Sequence, residues 1–86
     1  MIPEELIKDL IASRSKREII RILAGGGVIS ISEIAVKIKR NKSTISRHSN
    51  ELEKMGLITR RKGPLNKRRS YLSLTEKGKE TAGKLG

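Results

Sequence analysis

The side chains of this sequence that could do chemistry are mostly cations and hydroxyls, and they are concentrated in one part of the chain. Residues 37–69 hold twelve of the twenty Lys and Arg residues but only two of the nine acids, so this segment carries +10 of the net charge of +11. Cations at this density bind polyanions, and the hydroxyl and amide groups among them can hydrogen-bond to base edges. The pattern indicates a nucleic-acid-binding surface, with an anionic membrane surface as the second candidate.

The groups that catalysis or metal binding would need are scarce. The chain has one Asp (Asp9), one His (His48), one Tyr (Tyr71) and no Cys. A catalytic triad or a metal site needs several convergent groups, and Asp9 and His48 fall on different predicted elements. We therefore predict no enzyme activity, no metal and no cofactor. The single aromatic residue also argues against binding of single strands by base stacking.

Length and composition describe one small domain, which we assign to residues 1–86. No apolar run approaches the roughly 20 residues needed to cross a bilayer, so no insertion into a membrane is expected. The absence of Cys fits a reducing compartment, and we expect a cytoplasmic protein that associates with the nucleoid. Abundant Lys, Arg, Glu and Ile without any Gln suggest a thermophilic source.

A helix predicted at residues 42–55 carries the most informative part of the basic segment. Asn41 is a strong N-cap residue, and Gly56 stands where a helix needs a left-handed residue to end. Ile45 and Leu52 recur at helical spacing and define an apolar inner face. The opposite face then presents cations, hydroxyls and an amide, which is suited to a DNA major groove.

Two helices are predicted near the start of the chain. Residues 3–12 form an apolar stripe that can pack on this domain or on a second copy of the chain. Ser15 and Glu18 have the spacing of a capping box, which predicts a helix at residues 15–24.

Residues 28–31 are a short β-prone segment, and a third helix is predicted between this segment and the 42–55 helix. Ser32 can cap a helix at residues 33–38, and a tight turn at Lys39 and Arg40 leads into the next element. Two helices joined by a short turn, with a basic second member, form a helix-turn-helix arrangement.

The apolar pattern changes period after the 42–55 helix. Alternating residues predict a strand pair within residues 57–74, joined by a tip rich in turn formers and cations. The pairing is expected to place like charges opposite each other across this hairpin, a repulsion that a bound phosphate would relieve. A last helix is predicted at residues 76–84, which Gly78 and Gly83 should weaken.

The elements in this order resemble winged helix-turn-helix regulators, most closely the ArsR/MarR-like group. Four segments carry the resemblance: ISISEIA at 29–35, KSTISRH at 42–48, ELEKMGLI at 51–58 and RRSYLSLTEKG at 68–78. The resemblance implies an α+β fold that is mainly α. It would have a three-helix core, a basic β-hairpin wing and flanking N- and C-terminal helices.

The resemblance also implies which side chains contact DNA. They are cations, hydroxyls and one amide at the helix-turn-helix turn, on the outer face of the recognition helix and along the wing. The expected contacts are Lys37, Lys39, Arg40, Lys42, Ser43, Thr44, Ser46, Arg47, Asn50, Arg61, Lys62, Lys67, Arg68 and Arg69. Ser49 departs from the family, which usually has a large aliphatic residue there, and it should hydrogen-bond to a carbonyl one turn back.

Three functions remain open on the sequence. The first is a transcriptional regulator that binds specific double-stranded DNA, as a homodimer on a palindromic site. The second is a chromatin-like protein of the same fold that coats DNA with low specificity by counterion release. The third is a winged-helix module for protein interactions, against which the segregated charge argues. No small-molecule effector is evident.

Overall fold

The computed structural model describes Glu5, Lys8, residues 12–65 and residues 68–85. Its helices and strands in chain order are α1 (Arg14–Gly26), β1 (Ile29–Ser30), α2 (Ile31–Ile38), α3 (Lys42–Lys54), β2 (Ile58–Lys62), β3 (Ser70–Leu74) and α4 (Glu76–Leu85). This arrangement confirms the α+β, mainly α, winged helix-turn-helix fold. The helix predicted at residues 3–12 lies outside the described residues, apart from three single positions.

The core is aliphatic and receives side chains from all three helices of the helix-turn-helix unit. Ile19 of α1, Ile34 of α2, and Ile45 and Leu52 of α3 are each 0% exposed. Leu72, in the middle of β3, is also fully buried and closes the core against the sheet. Burial of several such side chains, each contributing about 1.5–3 kcal/mol before the entropic cost, is what orients α3.

Two of the predicted N-caps are wrong by two residues. Ser13, not Ser15, caps α1, and its hydroxyl accepts a hydrogen bond from the backbone N–H three residues later at 3.4 Å. Ser15 instead lies buried in the first turn. Ser30, not Ser32, caps α2 in the same way at 3.2 Å. Ser30 is also the last residue of β1, so the strand passes directly into the helix.

The residues predicted to bound the 42–55 helix, Asn41 and Gly56, are confirmed for α3, which ends at Lys54. Asn41 is the N-cap of α3, and its Oδ1 accepts hydrogen bonds from the Thr44 backbone N–H and the Ser43 hydroxyl, both at 2.9 Å. Gly56 follows the helix with φ of 78°, the left-handed conformation that favours glycine. The turn before α3 also needs a left-handed residue, and Lys39 supplies it with φ of 62°.

Ser49 is accommodated in the core as the sequence predicted. Its side chain is 0% exposed, and its Oγ donates a hydrogen bond to the Ile45 carbonyl oxygen at 2.6 Å. This bond satisfies the hydroxyl, which would otherwise be costly to bury beside aliphatic side chains.

The wing belongs to a three-stranded antiparallel sheet in the order β1-β3-β2. The short strand β1 pairs Ile29 with Leu72 and thereby connects the start of α2 to the wing. The sequence predicted a short β-prone segment at residues 28–31, which contains β1, but it did not predict the pairing of β1 with β3, because that pairing joins positions far apart in the chain.

The like-charge pairing expected across the hairpin is wrong. In the observed register Arg60 lies opposite Leu72, Arg61 opposite Tyr71 and Lys62 opposite Ser70. The basic residues after the tip precede β3, so they do not pair with those of β2. Repulsion between the two strands of the hairpin therefore gives no support to a phosphate contact. Support for such a contact can come only from the arrangement of cations on the surface.

Gly78 allows the last helix to pack closely on the chain at Leu57, a role that the sequence did not predict. A Cβ on Gly78 would stand 2.0 Å from the backbone oxygen of Leu57, so only glycine allows α4 to approach this closely. At Gly83 a Cβ would meet nothing within 4 Å. The two glycines of α4 thus have opposite roles.

An ion pair joins α1 to the C-terminal half of α3. Lys16 Nζ contacts Glu51 Oε2, with the lysine side chain 9% exposed and the glutamate side chain 46% exposed. The hydrogen bond from Lys16 lowers the pKa of Glu51. Since the buried ammonium needs a counter-charge, this pair adds to the packing that turns this side of α3 towards α1.

We predict opposite effects for alanine at the two glycines of α4. Gly78→Ala should destabilise the protein, because the new Cβ collides with backbone. Gly83→Ala should stabilise it by about 0.5–1 kcal/mol through helix propensity. Urea unfolding of both variants measures the difference, and equal shifts in the same direction would contradict the close approach.

We predict that the Lys16–Glu51 pair makes stability depend on pH. Because the folded-state pKa of Glu51 lies below its ordinary value, the stabilisation is present at neutral pH and is lost as pH falls through that lowered pKa. Glu51→Gln should therefore lower Tm at pH 7 and have little effect in acid. Thermal melts across pH measure this, with Glu53→Gln, at an exposed position of the same helix, as the charge-matched control. A Tm difference that stays constant with pH would exclude the pair as the cause.

Candidate nucleic-acid interface

The outer face of α3 collects the polar residues that the sequence assigned to DNA. Lys42, Ser43, Arg47 and Asn50 are exposed, while Thr44 and Ser46 are half-buried. The buried residues of the same helix are Ile45, Ser49 and Leu52, so the polar residues occupy the remaining surface. An α-helix with such a face fits the width of a B-DNA major groove, and these side chains can reach base edges or phosphates.

The predicted cations at the turn are also exposed. Lys37 lies in the last turn of α2, where a cation complements the helix dipole, and Lys39 and Arg40 follow it. The backbone of this turn is held by two bonds, from the Lys39 N–H to the Val36 oxygen at 3.3 Å and from the Arg40 N–H to the Ala35 oxygen at 3.0 Å. The turn therefore holds these three cations just ahead of α3.

The wing carries the remaining predicted contacts. Arg61 and Lys62 are exposed at the end of β2, and Arg68 and Arg69 are exposed before β3. The Gly63 N–H donates to the Arg69 carbonyl oxygen at 3.0 Å and joins the two sides of the wing. Lys67 lies outside the described residues.

Arg60 was not among the expected DNA contacts, and the sequence reasoning missed its hydrogen bonds to α3. Its Nη1 donates to Asn50 Oδ1 at 2.7 Å, and its Nη2 donates to Ser46 Oγ at 3.3 Å. Arg60 therefore connects the first strand of the wing to the outer face of α3. The available signal was strand alternation: Ile58 is buried, so the residue two positions later shares its face of the sheet.

A cleft of about 200 Å³ separates α3 from the wing. Four cations from the two elements line it, together with serine hydroxyls and one aliphatic side chain. The lining residues are Ile31, Ser32, Lys42, Ser46, Arg60, Arg68, Arg69 and Ser70. Cations and hydroxyls without a neighbouring acid in this lining make the cleft suited to a phosphate group.

His48 adds no charge to this surface at neutral pH. Burial lowers the pKa of His48, partly opposed by the carboxylate of Glu51 and reinforced by Lys16, Arg47 and Arg40. Its Nδ1 is buried and has no hydrogen-bond partner among the described residues. In the described ranges, no three His, Asp or Glu side chains come together in a way that could hold a metal ion. His48 is a half-buried residue of α3 at the edge of the core, as the sequence predicted.

The comparison with protein families gives a match to the MarR family over residues 13–70. An uncharacterized HTH-type transcriptional regulator of Bacillus subtilis strain 168, YdgJ, is 31% identical over 68 residues, which are 79% of this chain and 42% of that protein. The chain thus spans less than half the length of this curated relative.

Solved structures agree with the family match. The crystal structure of MarR superposes with a TM-score of 0.84 at 26% identity, over 92% of this chain and 54% of MarR. The YusO protein of Bacillus subtilis gives 0.84 at 23% identity, over 94% of this chain and 57% of that one, and shows the fold alone. With α3, the turn and the wing in matching order, the chain belongs to the MarR family.

Proposed function

We propose that this chain is the DNA-binding part of a transcriptional regulator that inserts α3 into the major groove and lays its wing on the flanking backbone or minor groove. The observation that carries the proposal is the cleft between α3 and the wing, where Lys42, Arg60, Arg68 and Arg69 converge with no acid in the lining. Family membership supports regulation of transcription, and it agrees with the prediction that the chain is not an enzyme.

The proposed contacts divide into two kinds. The cations of the turn and the wing contact phosphates, which gives affinity that depends on salt and is nearly independent of sequence. Ser43, Ser46, Arg47 and Asn50 face the groove and read base edges. Binding to the chromosome would place the protein at the nucleoid. Within the described residues, no helix has the length and apolar character needed to cross a membrane.

A homodimer on a palindromic site is part of the proposal. An apolar groove of about 600 Å³ runs between the end of α1, β3 and α4, and it includes Val28, which is 67% exposed. Covering this groove with a second copy of the chain would remove apolar surface from water, and an isologous interface would match the symmetry of a palindrome. Val28→Asp should then produce monomers in sedimentation equilibrium. A wild-type protein that stays monomeric at high concentration would exclude the dimer.

The proposed function is tested by selection from a randomised duplex pool of about 30 base pairs, long enough for two half-sites one helical turn apart. We expect an enriched palindrome whose binding weakens by about a thousandfold between about 50 and 200 mM salt. A steep salt dependence without an enriched sequence would favour the DNA-coating function instead. Weak binding that is insensitive to salt would exclude both and leave the protein-interaction module.

We predict that Arg47 and Arg68 make different kinds of contact with DNA, the first with a base and the second with a phosphate. Arg47→Ala should weaken the selected site by about 1–3 kcal/mol and relax the preference at one base pair. Arg68→Ala should weaken selected and random duplexes equally and reduce the salt slope by about one charge. Competition binding with both duplexes measures this. An equal loss for every sequence on Arg47→Ala would show that Arg47 reads no base.

A further inference from the structure

Arg60 restricts how two residues of α3 can hydrogen-bond. A guanidinium group has only donors, so its partners must present acceptors. Asn50 therefore turns its carbonyl oxygen, not its NH2 group, towards Arg60 at 2.7 Å, and Ser46 presents its hydroxyl oxygen at 3.3 Å. The orientation of the Asn50 amide follows from chemistry, because the reverse orientation would place N–H groups against N–H groups.

The groups that remain on Asn50 and Ser46 are donors. Asn50 is exposed and retains both hydrogens of its NH2 group, while Ser46 retains its hydroxyl hydrogen. The two residues are four positions apart, so they are neighbours on the same face of α3. Through Arg60, this part of the recognition helix offers donors next to a positive charge.

The usual pairing of asparagine with a base in the major groove is with adenine. That pairing uses the amide oxygen to accept from adenine N6 and the NH2 group to donate to N7. Here the oxygen is already bonded to a cation at 2.7 Å, and an approaching amino hydrogen would also meet the positive charge of Arg60. Guanine presents only acceptors on this edge, O6 and N7, which match the donors that remain.

We infer that Arg60 is a positioning residue that makes α3 select guanine, rather than adenine, at the base pair facing Asn50 and Ser46. The inference rests on the proposed function, since it requires α3 to lie in the major groove. It assigns to a wing residue a role in base choice, through two side chains of the recognition helix.

The test compares the selected duplex with one in which a single G·C pair is replaced by A·T. For the wild type, one such replacement should weaken binding by about tenfold or more. Arg60→Met removes the donors and frees the Asn50 amide to rotate, so the ratio between the two duplexes should fall towards one. Arg61→Met removes the same charge from the neighbouring position, and should weaken both duplexes alike while keeping the ratio.

A second variant keeps the contact with Arg60 but removes the donors. Asn50→Asp retains an oxygen for Arg60, so the fold and the helix–wing connection should persist, with Tm as the check. Its carboxylate accepts only, so the preference should move from guanine to a base with an amino group on this edge, cytosine or adenine. This variant remains informative if Arg60→Met does not fold.

The outcomes separate this inference from the proposed function. A wild type that selects a site, with variants of Arg60 and Asn50 that keep the same preference at every base pair, overturns the inference and leaves the regulator intact. A wild type that binds duplexes without selecting any sequence, or does not bind them, overturns the inference together with the proposed function. A change of preference confined to one G·C pair in both variants supports it.

Discussion

Burial of the inner face of α3 is the constraint on which the rest of the structure depends. Ile45, Ser49 and Leu52 are each 0% exposed, so the rotation of α3 about its axis is fixed by the core. With that side inward, the side with Lys42, Arg47 and Asn50 must face solvent. The chain has 86 residues, no Phe, no Trp and no Cys, and this aliphatic packing is its main source of stability.

The wing depends on the same helix through Arg60. A β-hairpin that extends from a small sheet has few contacts of its own, but the two bonds from Arg60 to Ser46 and Asn50 tie the first strand of the wing to the middle of α3. The second strand is tied to the core by Leu72 and to the start of α2 by its pairing with β1. The cations of helix and wing are therefore held at a fixed spacing, which reduces the entropy lost on binding a rigid polyanion.

Sequence reasoning reached the features that depend on one residue type at one position. The Asn41 cap, the left-handed Gly56 and the hydrogen-bonded Ser49 follow from local chemistry and are confirmed. The caps of α1 and α2 were predicted two residues too late, because each helix start has two serines at alternating positions and the local sequence does not decide which of them is the cap. The strand register, the approach of Gly78 to Leu57 and the bonds from Arg60 to α3 are contacts between distant positions, and no local pattern identifies the partners in such contacts. The DNA contacts assigned to single residues remain predictions.

The most direct test of the account is a 1H–15N NMR titration of the protein with the selected duplex, following backbone amides and the Nε–Hε signals of arginine. The account predicts that the shifted signals come from α3 as far as Asn50, from the turn before it and from the wing, and that the Arg60 side chain shifts with them. In a parallel titration with a duplex that carries a single half-site, signals from the middle of α1 and from α4 should remain in place. Shifts concentrated on α1 and α4, with α3 and the wing unchanged, would contradict the account.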